Sequence, residues 1–372
     1  MKQGYRILFG LILLLQGAVL NCHAAVDLIL KGGLGQTYDD NITYLKENPR
    51  HDYILNLMGG LGARVETPKT TLELLGNVNH HIYYNNPDFN NTSEDASLSL
   101  ASELSERDLL TVNDDFSHAY EPRSFQQEFG RVQGRYSTYE NEATLTYQRR
   151  LNSQFALSGH LGHEMNKFSR DDIQDTYLGR VGTTLEYHYS SALTYSAEYN
   201  LSRRTFERGN DALLHAATGG FRKYLTPQLY VGAKAGANVI RAYDGRTFTH
   251  PVYFAEVHDD FSQTANANLS FEKRYHIYAY TQDLFNYWQL TGSLSRQLSE
   301  RLGTALYGFY GSGEYVTAAV TDTLAGAGIK FNYDLTNHLK AELAYSHSNL
   351  GSTLPVKEYA KNTFFVGVSA DF

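Results

Sequence analysis

The sequence predicts an all-β protein, a transmembrane antiparallel up-and-down β-barrel of about eighteen strands. Three observations carry that prediction. Apolar and polar residues alternate with period two along most of the chain, which is the pattern of a strand with one greasy face. The alternating runs last roughly ten to fifteen residues, long enough to cross a bilayer when tilted. The connections between them are short and long by turns, as a barrel with two unlike rims requires. A soluble β-sandwich would share the alternation, but its strands of about five or six residues and its unsegregated loops do not match.

The 372 residues could make two soluble domains, yet only seven prolines occur and no Pro- or Ser-rich linker divides the chain. One continuous architecture is therefore expected. Lys2 and Arg6 precede an apolar run from Ile7 to Leu20, with small residues at Ala24 and Ala25. That layout reads as a secretory signal peptide over 1–25, removed during Sec export to leave a barrel over 26–372; an anchor helix would need a longer run than this one, which Gln16 interrupts. The single cysteine, Cys22, falls inside that segment, so the mature chain is expected to hold no disulfide, cysteine–zinc site or thiol nucleophile. Lipidation of Cys22 is a minor alternative, because Asn21 stands where a small residue is required. A net charge of −8 argues against nucleic acid as a partner. The 29 tyrosines against one tryptophan suit a wall with apolar and wet borders.

In chain order, a strand from Leu28 to Tyr38 leads through a polar loop, Asp39 to Asp52, into a return strand from Tyr53 to Glu66. The turn Thr67-Pro68-Lys69 sends the third strand out with Leu72, Leu74, Val78 and Ile82 on one face and Glu73, Asn77, Asn79 and His81 on the other. Further tight turns are read at Ser105-Glu106, Asn152-Ser153, Ser190-Ser191, Thr226-Pro227, Arg274-Tyr275, Ser299-Glu300 and Thr336-Asn337. With a longer loop between each pair, these make eighteen strands and put both termini on the short-turn side; sixteen is the alternative. The pattern is weakest over Asp108 to Tyr136 and over Tyr278 to Asn286, where two strands share a very short connection. The longest loops are placed near Asp39 to Asp52 and Asp244 to Val257.

The clearest strands come last. Ala325, Ala327, Ile329, Phe331, Tyr333 and Leu335 form an apolar stripe opposite Lys330, Asn332 and Asp334, and the following strand sets Leu343 and Tyr345 opposite Lys340 and Glu342. In the final run, Phe364, Val366, Val368, Ala370 and Phe372 share one face. A last strand of this kind, ending on an aromatic, resembles the C-terminal assembly signal of bacterial outer-membrane barrels, carried here by Phe364, Val366, Val368 and Phe372.

The polar faces supply a candidate lumen lining of both signs: Glu73, Arg150, Arg180, Arg222, Lys234, Lys330, Asp334, Lys340 and Glu342. Such a set tunes ion selectivity or merely pairs along the wall, and pairing is the expectation for most of it. Gly32-Gly33-Leu34-Gly35 and Gly59-Gly60-Leu61-Gly62 look like phosphate loops, but no helix follows either; curvature or room in the lumen is the better account. Ser346-His347-Ser348-Asn349 is similar to the His-x-Ser-Asn signature of lipid A deacylases without its spacer. His347 and Ser348 point to opposite faces of a strand, so no base reaches that serine and no enzyme is expected. No metal or cofactor site is expected. The acidic pairs Asp39-Asp40, Asp171-Asp172 and Asp259-Asp260 read as solvated loop charge.

Across 26–372 the sequence resembles the β-barrel porin family associated with exopolysaccharide assembly, on Tyr38-Asp39-Asp40-Asn41-Ile42, the Tyr-rich strands and the terminal Phe372. The resemblance implies an outer-membrane channel passing a secreted polysaccharide or another hydrophilic solute. Its partners would be outer-membrane lipid and lipopolysaccharide, the barrel assembly machinery and periplasmic polysaccharide-export components. A general or sugar-selective uptake porin and a non-conducting structural barrel are the alternatives. The modest length of the two longest loops favours export, since uptake porins fold one long loop into the lumen.

Overall fold

A computed structural model describes residues 26–372, apart from 133, 210, 243–244 and 278–282. The signal peptide read over 1–25 lies outside the described residues. The strands are β1 (Val26–Asp39), β2 (Asp52–Glu66), β3 (Thr70–Tyr83), β4 (Asn91–Glu103), β5 (Asp108–Ala119), β6 (Thr138–Arg150), β7 (Phe155–Phe168), β8 (Thr176–Ser190) and β9 (Leu193–Phe206). The second half continues with β10 (Ala212–Tyr224), β11 (Leu229–Arg241), β12 (Thr247–Ser262), β13 (Ala265–Ile277), β14 (Leu284–Gln297), β15 (Leu302–Tyr315), β16 (Val320–Asp334), β17 (Leu339–Ser352) and β18 (Tyr359–Asp371). Each pairs antiparallel with its neighbour in sequence, and β1 pairs with β18 from Lys31↔Asp371 to Asp39↔Thr363. The chain is a closed eighteen-stranded antiparallel barrel, and closure leaves no edge strand exposed.

The short turns share one local device. At Thr67, Thr226 and Thr336 the side-chain Oγ1 accepts from the backbone N–H three residues on, at 2.9–3.0 Å, and Asn152 and Ser299 do the same. A Ser, Thr or Asn opening a four-residue turn thereby replaces a ladder partner, and the apolar residue before it, as in Leu225, Leu298 and Leu335, ends the membrane-facing stripe.

One predicted turn is wrong. Arg274 and Tyr275 lie inside β13, and the chain reverses instead at Gln263 and Thr264. The error came from reading 247–257 as loop, when Thr247–Ser262 is the longest strand of the wall. Pro251 is tolerated inside this strand because the β12–β13 ladder begins only at Tyr253, so the missing N–H costs no hydrogen bond there. The true turn carries no Gly, Pro or Asn; Thr264 N–H donates to Ser262 Oγ at 3.2 Å. The connection after Ile277 falls on residues outside the description.

Large apolar side chains stand exposed around the outer wall, among them Leu28 (74%), Leu61 and Leu161, together with Phe364, Val366 and Val368 on β18. On a barrel this is the lipid-facing surface. Gly33, Gly35, Gly60 and Gly62 of the glycine repeats lie where the inner wall is crowded, a Cβ on Gly35 falling 2.4 Å from the Phe365 ring and one on Gly62 2.5 Å from Leu75, whereas Gly32 and Gly59 have open space.

Candidate functional site: the loop-filled interior

The inner wall is defined by what touches it. The connection between β5 and β6, residues 120–137, folds into the barrel and reaches the far wall. Gly130 (φ 80°) and Gly134 (φ 99°) supply two left-handed positions that a side chain would strain. Between them and β5 lies a single turn of helix, α1 (Phe125–Glu128), capped by Ser124 Oγ, which accepts from the Gln127 N–H at 3.2 Å.

Two aromatic residues anchor this inner loop. Phe125 packs over Gly326 of β16, where a Cβ would lie 2.7 Å from its ring, and against Tyr307 of β15. Phe129, 3% exposed, meets Phe285 and Tyr287 of β14 and Phe309 of β15, with ring centroids 5.3–5.9 Å apart. Burying each ring is worth roughly 1.5–3 kcal/mol, enough to hold the loop against its conformational entropy only with further contacts. Those contacts exist. Tyr315 Oη donates to the Gly130 carbonyl at 2.5 Å, and Tyr359 Oη donates to Glu128 at 2.9 Å.

The return leg is held on the near side. Arg135 stacks between the rings of Tyr83 and Phe89, 4.6 and 4.5 Å from their centroids, and donates to Tyr83 Oη and the Phe89 carbonyl. Its Nε lies 3.6 Å from Glu121, whose other oxygen is 3.5 Å from Lys361 Nζ of β18. Lys361 also pairs with Asp39 at 2.8 Å and lies 3.9 Å above the ring of Tyr44, which descends from the β1–β2 loop. Burial pushes the Glu121 carboxyl up, but Lys361 and Arg135 outweigh it and hold the group below its ordinary value. At Glu128 burial wins, over Lys361 and the hydrogen bonds of Ser348 and Tyr359, and the carboxyl sits above its ordinary value.

The Tyr38-Asp39-Asp40-Asn41-Ile42 segment is absorbed in this anchorage. Asp39 accepts from the Asn41 N–H at 2.9 Å, Asn41 donates to the Leu45 and Ala360 carbonyls, and Asp40 accepts twice from Asn362. Ile42 is fully buried. The motif ties the first long loop to β18 and presents Asp39 to Lys361.

All nine candidate lining residues occupy the face of their strand that carries the loop contacts. Lys330 and Asp334 alternate with Gly326 on β16, and Glu73 alternates with Tyr83 on β3. Most are paired. Lys330 lies 2.6 Å from Glu342, Lys234 3.2 Å from Glu198, Arg222 3.3 Å from Glu256 and Arg180 3.9 Å from Glu142. Asp334 stands directly across from Lys340, whose nearest carboxylate is Asp371 at 3.9 Å, and Glu73 stands across from Arg64. Arg150 sits at the short-turn end of β6. These residues ring the wall in separate pairs and do not converge on a centre. His347 bonds Asn362 on the outer face, while Ser348 is buried on the inner one.

The sequence reading passed over the residues that fill the interior: Glu121, Phe125, Phe129, Arg135 and Lys361. A signal was available in Leu284-Phe285-Asn286-Tyr287-Trp288, which is aromatic on both faces. An aromatic aimed at a wet lumen predicts something apolar inside to meet it. The argument for export from modest loops also fails, since the segment with blurred alternation holds β5 and then, from residue 120, the long inward-folding loop.

Among solved structures, the chain is similar to Pseudomonas aeruginosa OpdK crystallised with vanillate, with a TM-score of 0.50 at 8% identity over 93% of this chain and 99% of that one. OccK9 (OpdG) of the same organism gives 0.49 at 10% identity over the same shares, and Acinetobacter baumannii OccAB4 gives 0.47 at 12% over 94% and 99%. At such identities the likeness is one of fold: a closed barrel of the outer-membrane porin kind. No protein-family model and no curated protein sequence matches the chain.

Proposed function

We propose that this chain is an outer-membrane channel whose inner loop, residues 120–137, narrows the lumen to a passage for small hydrophilic solutes moving down their gradient. The observation that carries the reading is the anchorage of that loop on opposite walls, through Phe129 against Phe285 and Phe309 and through Arg135 against Tyr83 and Phe89. A constriction pinned on both sides selects by size and charge. This favours uptake over export of a polysaccharide, which would need the loop withdrawn. Sec export, insertion by the barrel assembly machinery and contact with lipopolysaccharide belong to this reading, and a hydrolytic activity does not.

Planar bilayers test it. Wild-type barrels should give small, discrete conductance steps, and a variant with 124–132 replaced by a short Gly-Ser linker should give several-fold larger ones. Equal steps from the two would show that the loop is not the constriction. Current from the loopless variant alone would mark a plugged barrel. Liposome swelling with monosaccharides but not with long dextrans separates small-solute passage from polymer export.

A further inference from the structure

The outer wall carries one carboxylate near the middle of a strand among the described residues. Asp114 of β5 is that acid, and Glu94 of the neighbouring β4 faces outward three residues inside its strand, as Asp259 does on β12. Asp114 alternates with Leu110, Val112 and Phe116 on the face that elsewhere meets lipid, and it accepts from Asn141 Nδ2 of β6 at 2.6 Å. Glu94 stands beside Val78 and across from His118, whose ring stacks on Tyr139 at 4.0 Å. Two strands on, His163 of β7 is exposed on the same outer face, across from Ala143. No large apolar side chain stands fully exposed on β4 or β5, as none does on β11.

An acid on a lipid-facing wall is unfavourable unless something polar covers it. The arrangement says what would. Acids lie on β4 and β5, where His118 Nδ1 stands 3.8 Å from Glu94, and the further donors Asn141 and His163 lie on β6 and β7. A two-fold axis along the membrane normal, passing between β5 and β6, sets β4 of one copy against β7 of the other. Glu94 and His163 lie at nearly equal distances along their strands from the short turns Leu104–Arg107 and Leu151–Gln154, so they meet at one height. Asp114 then faces the small Ala143, with Asn141 one pleat away. A patch whose acidic half is complementary to its own other half fits a second copy of itself.

We infer that the β4–β7 outer wall is a self-association surface, and that the protein works as a side-by-side dimer of barrels. The inference rests on the barrel spanning a membrane, not on what the lumen passes.

Single cysteines in a Cys22→Ser background test it in intact outer membranes with a short bis-maleimide. Ala143→Cys should cross-link to a species of twice the monomer mass. Ala327→Cys, on the outer face of β16, should stay monomeric. Adding Asp114→Ala should reduce the Ala143→Cys product to the Ala327→Cys level, while Asp114→Asn retains part of it. Heat-modifiable migration on gels confirms that each variant is a folded barrel. A monomer with Ala143→Cys as with Ala327→Cys, or a product of any other mass, overturns the inference. Unchanged single-barrel conductance in Asp114→Ala keeps this result separate from the channel reading.

Discussion

Lys361→Met removes the cation at the hub of the inner loop while keeping a side chain of similar length. Lys361 is 6% exposed and paired with Asp39 at 2.8 Å and Glu121 at 3.5 Å. Asp39 is itself buried, so the variant strands a carboxylate with only the Asn41 N–H to satisfy it. Breaking a buried pair from one side costs about 3–5 kcal/mol, and losing the cation–π contact with Tyr44 adds about 1–2 kcal/mol where water is excluded. Neutralising the partner as well, in Asp39→Asn/Lys361→Met, removes the stranded charge and should recover most of that loss. Guanidinium unfolding in detergent micelles of wild type, Lys361→Met, Asp39→Asn and the double variant gives the four stabilities, and bilayer recordings give the noise of a loosened loop. A single variant within about 1 kcal/mol of wild type, or a double variant as costly as the sum of the singles, would refute the hub.

The remaining expectations follow from other parts of the barrel. Phe372 exchanges backbone hydrogen bonds with Leu30 at 2.8 and 2.9 Å and stacks on His338, so deleting it should lower outer-membrane levels far more than Ser369→Ala does; equal levels would contradict this. Lys330→Glu sets like charges against Glu342 on a half-exposed inner face, so its melting temperature should stay near wild type, a pair there being worth roughly 0.2–1 kcal/mol, while reversal potentials shift toward cation preference. For pH the two loop carboxyls work in opposite directions. Glu128, raised by burial, burdens the folded loop until pH falls through its folded value. Glu121, held low, contributes stability above its unfolded value that is lost only as pH falls through the folded one. Conductance should therefore stay flat or fall slightly from neutral to weakly acidic pH and rise only below the ordinary carboxylate range. A rise on mild acidification would reverse that assignment.

The strands were legible because alternation is local. Phe364, Val366 and Val368 face outward and Lys330 and Asp334 inward for the same reason that they alternate, and seven of the eight short turns announced themselves by a Ser, Thr or Asn placed to accept from a later N–H. The eighth turn has the same device in Ser262, but Gln263 and Thr264 beside it are not strong turn residues and the sequence reading passes over it. What no local pattern carries is where a loop goes. Phe125 and Phe129 look like any loop aromatics until closure of the barrel brings Gly326, Phe285 and Phe309 opposite them, and Lys361 is one more charge on an alternating strand until Asp39 and Glu121 converge on it. The wall therefore follows from the order of residues along each strand, and the contents of the lumen from contacts that only the closed cylinder creates.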